Sequence, residues 1–393
     1  MATRRQFLIS ATAALPALAR TAEGNPVQVA AVPGQGIQPQ IALDGGVLHV
    51  VYFAGDPKNG NVFYRRSKDF GKTYSPPIQV NSQQGSAIAL GAIRGAQISV
   101  GKAGRVHVAW NGSDVAEPRG PKNTEGGRPG SAMLYARMNE RGTAFEPQRN
   151  VMRETFGLDG GGSVTADRNG NVYVGWHGKA PGAKQGEAGR QVWIAQSRDD
   201  GGNFSAEHPA SSESTGVCGC CALRLFADSR GAVYGLYRSA TENVHRDIYL
   251  LHSGDTGKTF STGLVQRWEI NACPMSSMNF IETPAGVLGA WETQTQVYFA
   301  PMQRGADLAR TSAIAPPGDK PKRKYPVLAH NSRGETLLAW VEGSGWQRAG
   351  TLGWQIFDKD GRPGAASTTR VDVPVWSFPA ALVRPDDGFT ILV

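Results

Sequence analysis

The chain repeats one β-hairpin pattern seven times, and this repeat constrains the fold more than any other feature of its 393 residues. Each copy has an apolar strand, a tight turn that contains glycine, and a second strand that in most copies ends at Trp or Tyr. The glycines recur about every 57 residues, a spacing that holds four strands and their turns, which is the size of one β-propeller blade. The turn glycines are Gly46, Gly104, Gly170, Gly231, Gly286, Gly334 and Gly388.

Six of the hairpins are followed by a third apolar strand, as in NVFYRR (61–66), and by a fourth strand such as PIQV (77–80). Period-two alternation and β-branched or aromatic residues indicate strands, and no sustained helical period follows residue 20. The pattern predicts an all-β propeller with six or seven four-stranded blades. Residues 27–32 resemble a fourth strand without its own first three, so we expect this strand to join the C-terminal hairpin and close the ring.

The first 19 residues have the features of an export signal. An arginine pair, Arg4 and Arg5, precedes an apolar stretch that ends in the sequence ALA, which is typical of a twin-arginine signal, with an ordinary secretory signal as the alternative. We expect residues 1–19 to be a signal peptide, residues 20–393 to be a single propeller domain, and the protein to be a periplasmic or secreted monomer. We expect no integral membrane segment and no nucleic-acid partner, since the charge of +8 includes no long basic block.

An octapeptide of the form Ser-x-Asp-x-Gly-x-Thr/Asn-aromatic lies between the third and fourth strands at 67–74, 197–204 and 253–260. Its Asp can accept N–H bonds inside the turn, its Gly supplies a positive φ, and its aromatic ring packs between blades. This is the Asp-box (BNR) pattern, and the chain from about residue 25 to 393 resembles the sialidase superfamily of β-propellers. In that family the Asp boxes are structural and lie on the face away from the active site. The resemblance implies an exported exo-glycosidase that acts on, or binds, carbohydrate or a small molecule at the channel mouth.

The resemblance also implies candidate site residues. Where the family carries the first arginine of a three-arginine clamp for a carboxylate, this chain has Gln38, which lacks the charge and the bidentate fork of arginine. Sialidases use a Tyr nucleophile in place of paired carboxylates, and ordinary surface or core roles are the alternative for every candidate. The candidates for a substrate clamp are Arg94, Arg238 and Arg246, and those for catalysis are the general acid Asp56 and the pair Tyr325 and Glu292. His177 is a further candidate for substrate binding because it lies at the root of the insertion at 178–190.

All four cysteines fall in two short segments that precede the first strands of neighbouring repeats. First strands line the channel of a propeller, so we expect the two segments to meet at one mouth. Three interpretations stay open: disulfides, which an oxidising compartment favours, a copper or zinc site, and a reactive thiol. The alternative function is therefore a periplasmic metal-binding propeller without glycosidase activity. Its candidate ligands are Cys218, Cys220, Cys221 and Cys273.

Two long insertions, at 112–131 and 178–190, are rich in glycine, proline and charged residues and follow second strands. Because second strands end on the face where first strands begin, both insertions should overhang the mouth that holds the cysteines. Mobile lids and tolerated surface loops are both compatible with this composition.

Overall fold

A computed structural model describes residues 26–123, 130–303, 313–318, 322–367 and 370–393. These residues form seven sheets, the blades of one β-propeller, and among them the only helical segments are four 3-10 turns: Pro33–Gln35, Lys102–Gly104, Glu187–Gly189 and Glu213–Thr215. Seven blades resolve the choice that the sequence left open. The predicted signal peptide lies outside the described ranges, in which no helix is long and apolar enough to cross a bilayer.

The strands of the first four blades follow one another in sequence, and each pairs antiparallel with the next. Strand β1 is Val27–Ala30, and blade one contains β2 (Ile37–Asp44), β3 (Val47–Asp56), β4 (Asn59–Ser67) and β5 (Ile78–Gln79). Blade two contains β6 (Gln97–Val100), β7 (Val106–Asn111), β8 (Met133–Arg137) and β9 (Arg149–Asn150). Blade three contains β10 (Ser163–Ala166), β11 (Val172–Gly178), β12 (Gln191–Ser197) and β13 (His208–Pro209). Blade four contains β14 (Arg224–Ala227), β15 (Val233–Arg238), β16 (Ile248–Ser253) and β17 (Ser261–Gln266).

The last three blades depart from the four-strand pattern. Blade five has three strands in the described residues, β18 (Met278–Thr283), β19 (Gly286–Thr293) and β20 (Gln296–Pro301). Blade six contains β21 (Arg323–His330), β22 (Thr336–Glu342), β23 (Gly350–Phe357), β24 (Pro363–Ala366) and β25 (Asp372–Val373), and blade seven contains β26 (Ala380–Val383), β27 (Phe389–Leu392) and β1. The N-terminal strand closes the ring as predicted, but it is the third strand of its blade and not a fourth, because β1 pairs directly and in parallel with β27.

The second strand of each blade is buried on both faces because each blade packs between two neighbours. The side chains of Val51, Val108 and Val174 are fully buried in such strands. Trp110, Trp176 and Trp291 lie near the ends of β7, β11 and β19 and are at most 2% exposed. The recurring aromatic residue at the end of the second strand is therefore a core residue between blades.

The three octapeptides form hydrogen-bonded turns after the third strands. The hydroxyl of Ser67 donates to Asp69 Oδ1 at 2.7 Å, and the backbone N–H of Thr73 donates to the same oxygen at 2.8 Å. These bonds and one from the Thr73 hydroxyl lower the pKa of Asp69 to about 2. The same pattern surrounds Asp199 and Asp255. The turns lie at the end of the blades opposite the predicted mouth, and the carboxylate organises each of them.

We expect Gly201→Ala to lower the free energy of unfolding by about 2–4 kcal/mol. Gly201 has a φ of +77°, and a Cβ at this position would lie 1.9 Å from Tyr135 Oη. The matched control is Gly142→Ala at the same turn position of blade two, where φ is +65° but the nearest atom would be 3.8 Å away, so it should cost only about 1 kcal/mol. Urea unfolding of both variants measures the difference, and equal losses would contradict this account.

Candidate functional site

First strands begin and second strands end at one mouth of the propeller, and a cleft of about 440 Å³ opens there between blades five, six and seven. Its walls come from the segments before β18, β21 and β26 and from the ends of β19 and β22. The lining residues lie within 91–92, 268–275, 292–295, 322–325, 344–348 and 374–377. The cleft is therefore built from connections that meet only when the ring is closed.

Glu292, near the end of β19, supplies the only carboxyl group among the described residues that line this cleft. Its side chain is 2% exposed, and its Oε1 atom lies 3.3 Å from Lys324 Nζ. The other oxygen, Oε2, has no hydrogen-bond partner within the described part of the chain. Burial raises the pKa of Glu292 although the charges of Lys324 and Arg238 lower it. This carboxyl group is thus suited to hold a proton and to release it into the cleft.

Tyr325 lies on β21, one residue after Lys324, and borders the same cleft. The pairing of β21 with β22 is irregular between Lys324 and Val327, and Tyr325 has a φ of +57°. Burial raises the pKa of the Tyr325 phenol, and the charge of Glu292 raises it further. The structure therefore brings together the two residues that the sequence paired, and they interact electrostatically.

Tryptophan rings and cationic side chains also line the cleft that contains Glu292 and Tyr325. Trp346 is 53% exposed, and its ring centroid lies 6.1 Å from that of Trp376, while Trp268 borders the inner wall. Lys322 and Arg348 join Lys324 in the lining, so the described cleft residues include three cations and one carboxyl group. These residues were not predicted from the sequence. Tryptophan is also a core residue of the repeat, and the short basic run at 322–324 gave no indication of its position.

Arg238 occupies a different place from the one expected of a substrate-binding residue. It is 1% exposed and does not line the cleft. Its Nε donates to Ser276 Oγ at 2.9 Å, Nη1 donates to the Arg246 carbonyl at 2.5 Å, and Nη2 donates to the Glu292 carbonyl. Its guanidinium carbon lies 4.9 Å from the centroid of the Trp268 ring. Arg238 thus joins blade four to blade five behind the cleft.

The other two arginine candidates also have protein partners. Arg246 Nη1 lies 2.5 Å from Glu187 Oε2, a residue of the 178–190 insertion, and Arg94 Nη2 lies 2.5 Å from Asp159 Oδ1. Neither arginine lines the cleft. The structure therefore does not bring the three arginines together around this cleft, and their role in substrate binding stays a prediction.

Gln38 and Asp56 both lie outside the cleft lining. Gln38 is 1% exposed, and its Nε2 donates to the carbonyls of Ala89 at 2.9 Å and Trp376 at 2.8 Å. It supports the backbone of the cleft residue Trp376. Asp56 is exposed at the end of β3, where its Oδ1 accepts the backbone N–H of Lys58 at 2.8 Å. The predicted acid role of Asp56 has no support from this position.

The two cysteine segments meet at the mouth, as the repeat predicts. Cys220 and Cys273 form a disulfide, and Cys273 lines the cleft. Cys218 and Cys221 are free and buried, with their Sγ atoms 3.3 Å apart, and Cys218 Sγ is 3.4 Å from Cys220 Sγ. We call these four sulfur atoms the sulfur cluster.

The surroundings of the sulfur cluster favour charge on Cys221. Burial raises its pKa, but a hydrogen bond from the Cys218 thiol, the charge of Arg238 and bonds from Ser276 together lower the pKa to about 6. The bond to Cys221 and burial raise the pKa of Cys218. His177 is buried beside the segment, and its Nε2 donates to the Cys221 carbonyl at 2.9 Å. Burial lowers the pKa of His177 to about 4, so this imidazole is neutral at pH 7.

No protein-family model matches the chain, and no curated protein matches it. Among solved structures, a protein of unknown function from Dyadobacter fermentans shares 15% identity over 84% of this chain and 93% of its own length, with a TM-score of 0.51. The Penicillium chrysogenum α-L-arabinanase complexed with arabinobiose shares 14% identity over 84% and 95%, with a TM-score of 0.53. The Ruminococcus gnavus intramolecular trans-sialidase in complex with oseltamivir carboxylate shares 13% identity over 84% and 95%, with a TM-score of 0.51. These similarities show that the chain has the sialidase-like β-propeller fold.

Proposed function

We propose that the protein is an exported glycoside hydrolase that acts on carbohydrate at this cleft, with Glu292 and Tyr325 as its catalytic residues. One observation carries the proposal: a buried phenol and a buried carboxyl group border the same cleft, and one oxygen of this carboxyl group has no hydrogen-bond partner among the described residues. Trp346 and Trp376 offer apolar faces for a sugar ring. The arabinobiose in the arabinanase structure supports carbohydrate as the ligand class.

The two residues can divide the chemistry of hydrolysis between them. Protonated Glu292 gives its proton to the glycosidic oxygen while Tyr325 Oη attacks the anomeric carbon and the bond to the leaving alcohol breaks. The carboxylate that remains takes the phenolic proton. In the second step water attacks the anomeric carbon and the bond to Tyr325 Oη breaks: Glu292 returns its proton to the leaving phenolate, and the carboxylate takes the proton that the water loses, so both residues regain their starting forms. Lys324, at 3.3 Å, stabilises the carboxylate form in each cycle.

The charges of the cleft indicate which sugars it accepts. Among the described lining residues, three cations, Lys322, Lys324 and Arg348, accompany one carboxyl group, that of Glu292. A sugar with an anionic substituent, such as a uronate, therefore gains charge-assisted hydrogen bonds. We therefore propose an anionic glycoside as the preferred substrate class. Recognition of the carboxylate would differ from that of the three-arginine clamp, because these cations come from blade six.

A panel of fluorogenic 4-methylumbelliferyl glycosides tests the proposal, with a glucuronide, a sialoside and a neutral arabinoside. We expect the glucuronide to be hydrolysed with the highest kcat/KM, and Arg348→Gln to raise its KM about tenfold, since a hydrogen bond to a charged group contributes about 1.5–3 kcal/mol. Arg362→Gln is the control, because that side chain is 76% exposed in the turn between β23 and β24. Faster cleavage of the arabinoside would contradict the anionic preference, and no cleavage of any member would contradict hydrolase activity.

The rate should depend on pH through the proton on Glu292. Burial raises the pKa of this group above its ordinary value of 4.5, and only the protonated acid can assist the leaving oxygen. We expect kcat/KM for the preferred glycoside to be high at low pH and to fall as pH rises through the raised pKa. A pH profile of kcat/KM measures this limb, and a fall centred at or below pH 4.5 would contradict the assignment.

A further inference from the structure

The sulfur cluster is compact enough to surround a single ion. The Sγ atoms of Cys218, Cys220 and Cys273 lie within 4.8 Å of one another, and Cys221 Sγ is 3.3 Å from Cys218 Sγ. Four thiolates bound tetrahedrally at about 2.3 Å from one ion lie about 3.8 Å apart. The separations from Cys218 Sγ to Cys221 Sγ and Cys220 Sγ, 3.3 and 3.4 Å, are close to this value, whereas Cys221 lies outside the group of three and would have to rotate toward Cys220 and Cys273 once the disulfide is open.

The charges next to the sulfur cluster match an anionic occupant. Arg238 is 1% exposed, and within the described residues it forms no ion pair with a carboxylate. A buried cation is stabilised by negative charge nearby, and the charge of Arg238 already acts on Glu292, whose pKa is raised by burial and lowered by this charge. The Nε–H of Arg238 donates to Ser276 Oγ, which in turn lies 3.5 Å from Cys221 Sγ. Four thiolates around a divalent ion carry a net charge of about −2, which Arg238 is placed to offset.

Hydrogen-bond donors around the cluster resemble the outer shell of a thiolate site. Both the backbone N–H and the hydroxyl of Ser276 contact Cys221 Sγ at 3.5 Å. Glu187 Oε1 accepts the backbone N–H of Gly219 at 2.6 Å, which ties the 178–190 insertion to the cysteine segment. Cys218 and Cys221 are at most 1% exposed. Cys218 and Cys221 are therefore held in place and shielded from water.

We propose that Cys218, Cys220, Cys221 and Cys273, when all four are reduced, bind one thiophilic closed-shell metal ion, Cu(I) or Zn²⁺, beside the cleft. Soft thiolates select both ions. Opening the Cys220–Cys273 disulfide takes two electrons and two protons: a thiol reductant supplies both and is oxidised to its disulfide, whereas a phosphine supplies the electrons and becomes the phosphine oxide while water supplies the oxygen and the protons. Binding then releases the thiol protons to solvent. The four ligands are different residues from Glu292 and Tyr325, although Cys273 borders the same cleft, and metal occupancy and glycoside hydrolysis are tested by different measurements.

The test starts from full-length protein reduced anaerobically with a phosphine, which is then removed by gel filtration. Zn²⁺ is titrated against a chromophoric chelator, and Cu(I) against bathocuproine disulfonate. We expect one equivalent of at least one metal, and protection of all four thiols from N-ethylmaleimide, counted by intact mass. Air-oxidised protein that retains the Cys220–Cys273 bond is the matched control, and it should bind less than about one tenth of an equivalent under the same conditions.

Variants then assign the ligands. Cys218→Ser and Cys221→Ser leave the disulfide partners in place and should each lower metal affinity at least about tenfold, whereas Met278→Leu, in the core of β18, should leave it unchanged. The protection experiment on unaltered protein needs no variant, so a misfolded variant does not decide the outcome. Failure of the reduced protein to bind either metal would overturn the proposal, as would two disulfides in the natively exported protein or undiminished binding by both Ser variants.

Discussion

Glu292→Gln is expected to lower kcat/KM for the preferred glycoside by about 10²–10⁴-fold, the usual contribution of a positioned acid or base. The amide keeps the size of the side chain but can neither give a proton to the glycosidic oxygen nor take one from Tyr325. Because Glu292 is the only carboxyl group in the described part of the cleft lining, none of those residues offers another acid in its place. Initial rates with the fluorogenic substrate measure the loss, and ligand-induced quenching of tryptophan fluorescence shows whether binding is retained.

Two further variants test whether the loss of activity is specific to Glu292 and its proposed partner Tyr325. Glu269→Gln changes a carboxyl group that is 75% exposed beside Trp268 and does not line the cleft, so it should retain full activity. Tyr325→Phe removes the proposed nucleophile and should be as inactive as Glu292→Gln, since residues that act as a unit give non-additive losses. Activity of Glu292→Gln within tenfold of the unaltered protein would remove Glu292 from the catalytic residues.

The fold could be predicted from the sequence because one blade repeats. The turn at Gly46 and the six equivalent glycine turns predicted the positions of the inner hairpins. The octapeptide at 67–74 predicted the link between the third and fourth strands. The pairing partner of β1 was harder to predict from the sequence. A short strand such as VQVA carries no mark of its pairing partner, and its parallel register with β27 is set by closure of the ring.

The site could be predicted only in part, for a physical reason. Glu292, Tyr325 and Cys273 lie at strand ends or just before strands, so counting repeats places them at the mouth. Trp346 and Arg348 belong to the loop after β22, whose path depends on packing between blades six and seven. The resemblance to sialidases suggested arginines as substrate ligands, but the sequence does not reveal that Arg238 has backbone carbonyls as its partners.

The partners of Arg238 make it a structural link between two blades. The residue lies at the end of β15, and it holds the carbonyl of Arg246 in its own blade and the carbonyl of Glu292 in blade five. A third bond, to Ser276 Oγ, reaches the segment that connects the two blades. Removing the guanidinium would leave buried acceptors without donors, each costing about 1–3 kcal/mol, and a void beside Trp268.

We therefore expect Arg238→Leu to lower the free energy of unfolding by about 3–5 kcal/mol, measured by urea titration followed by tryptophan fluorescence. Arg238→Lys keeps the charge but cannot form three divergent bonds, so it should lose less than Arg238→Leu and more than the surface control Arg230→Ala. Arg230 is exposed in the β14–β15 turn of the same blade, and its removal should change stability by less than about 0.5 kcal/mol. If Arg238→Leu were as stable as Arg230→Ala, the three bonds would contribute nothing net, and Arg238 would again become a candidate for ligand binding.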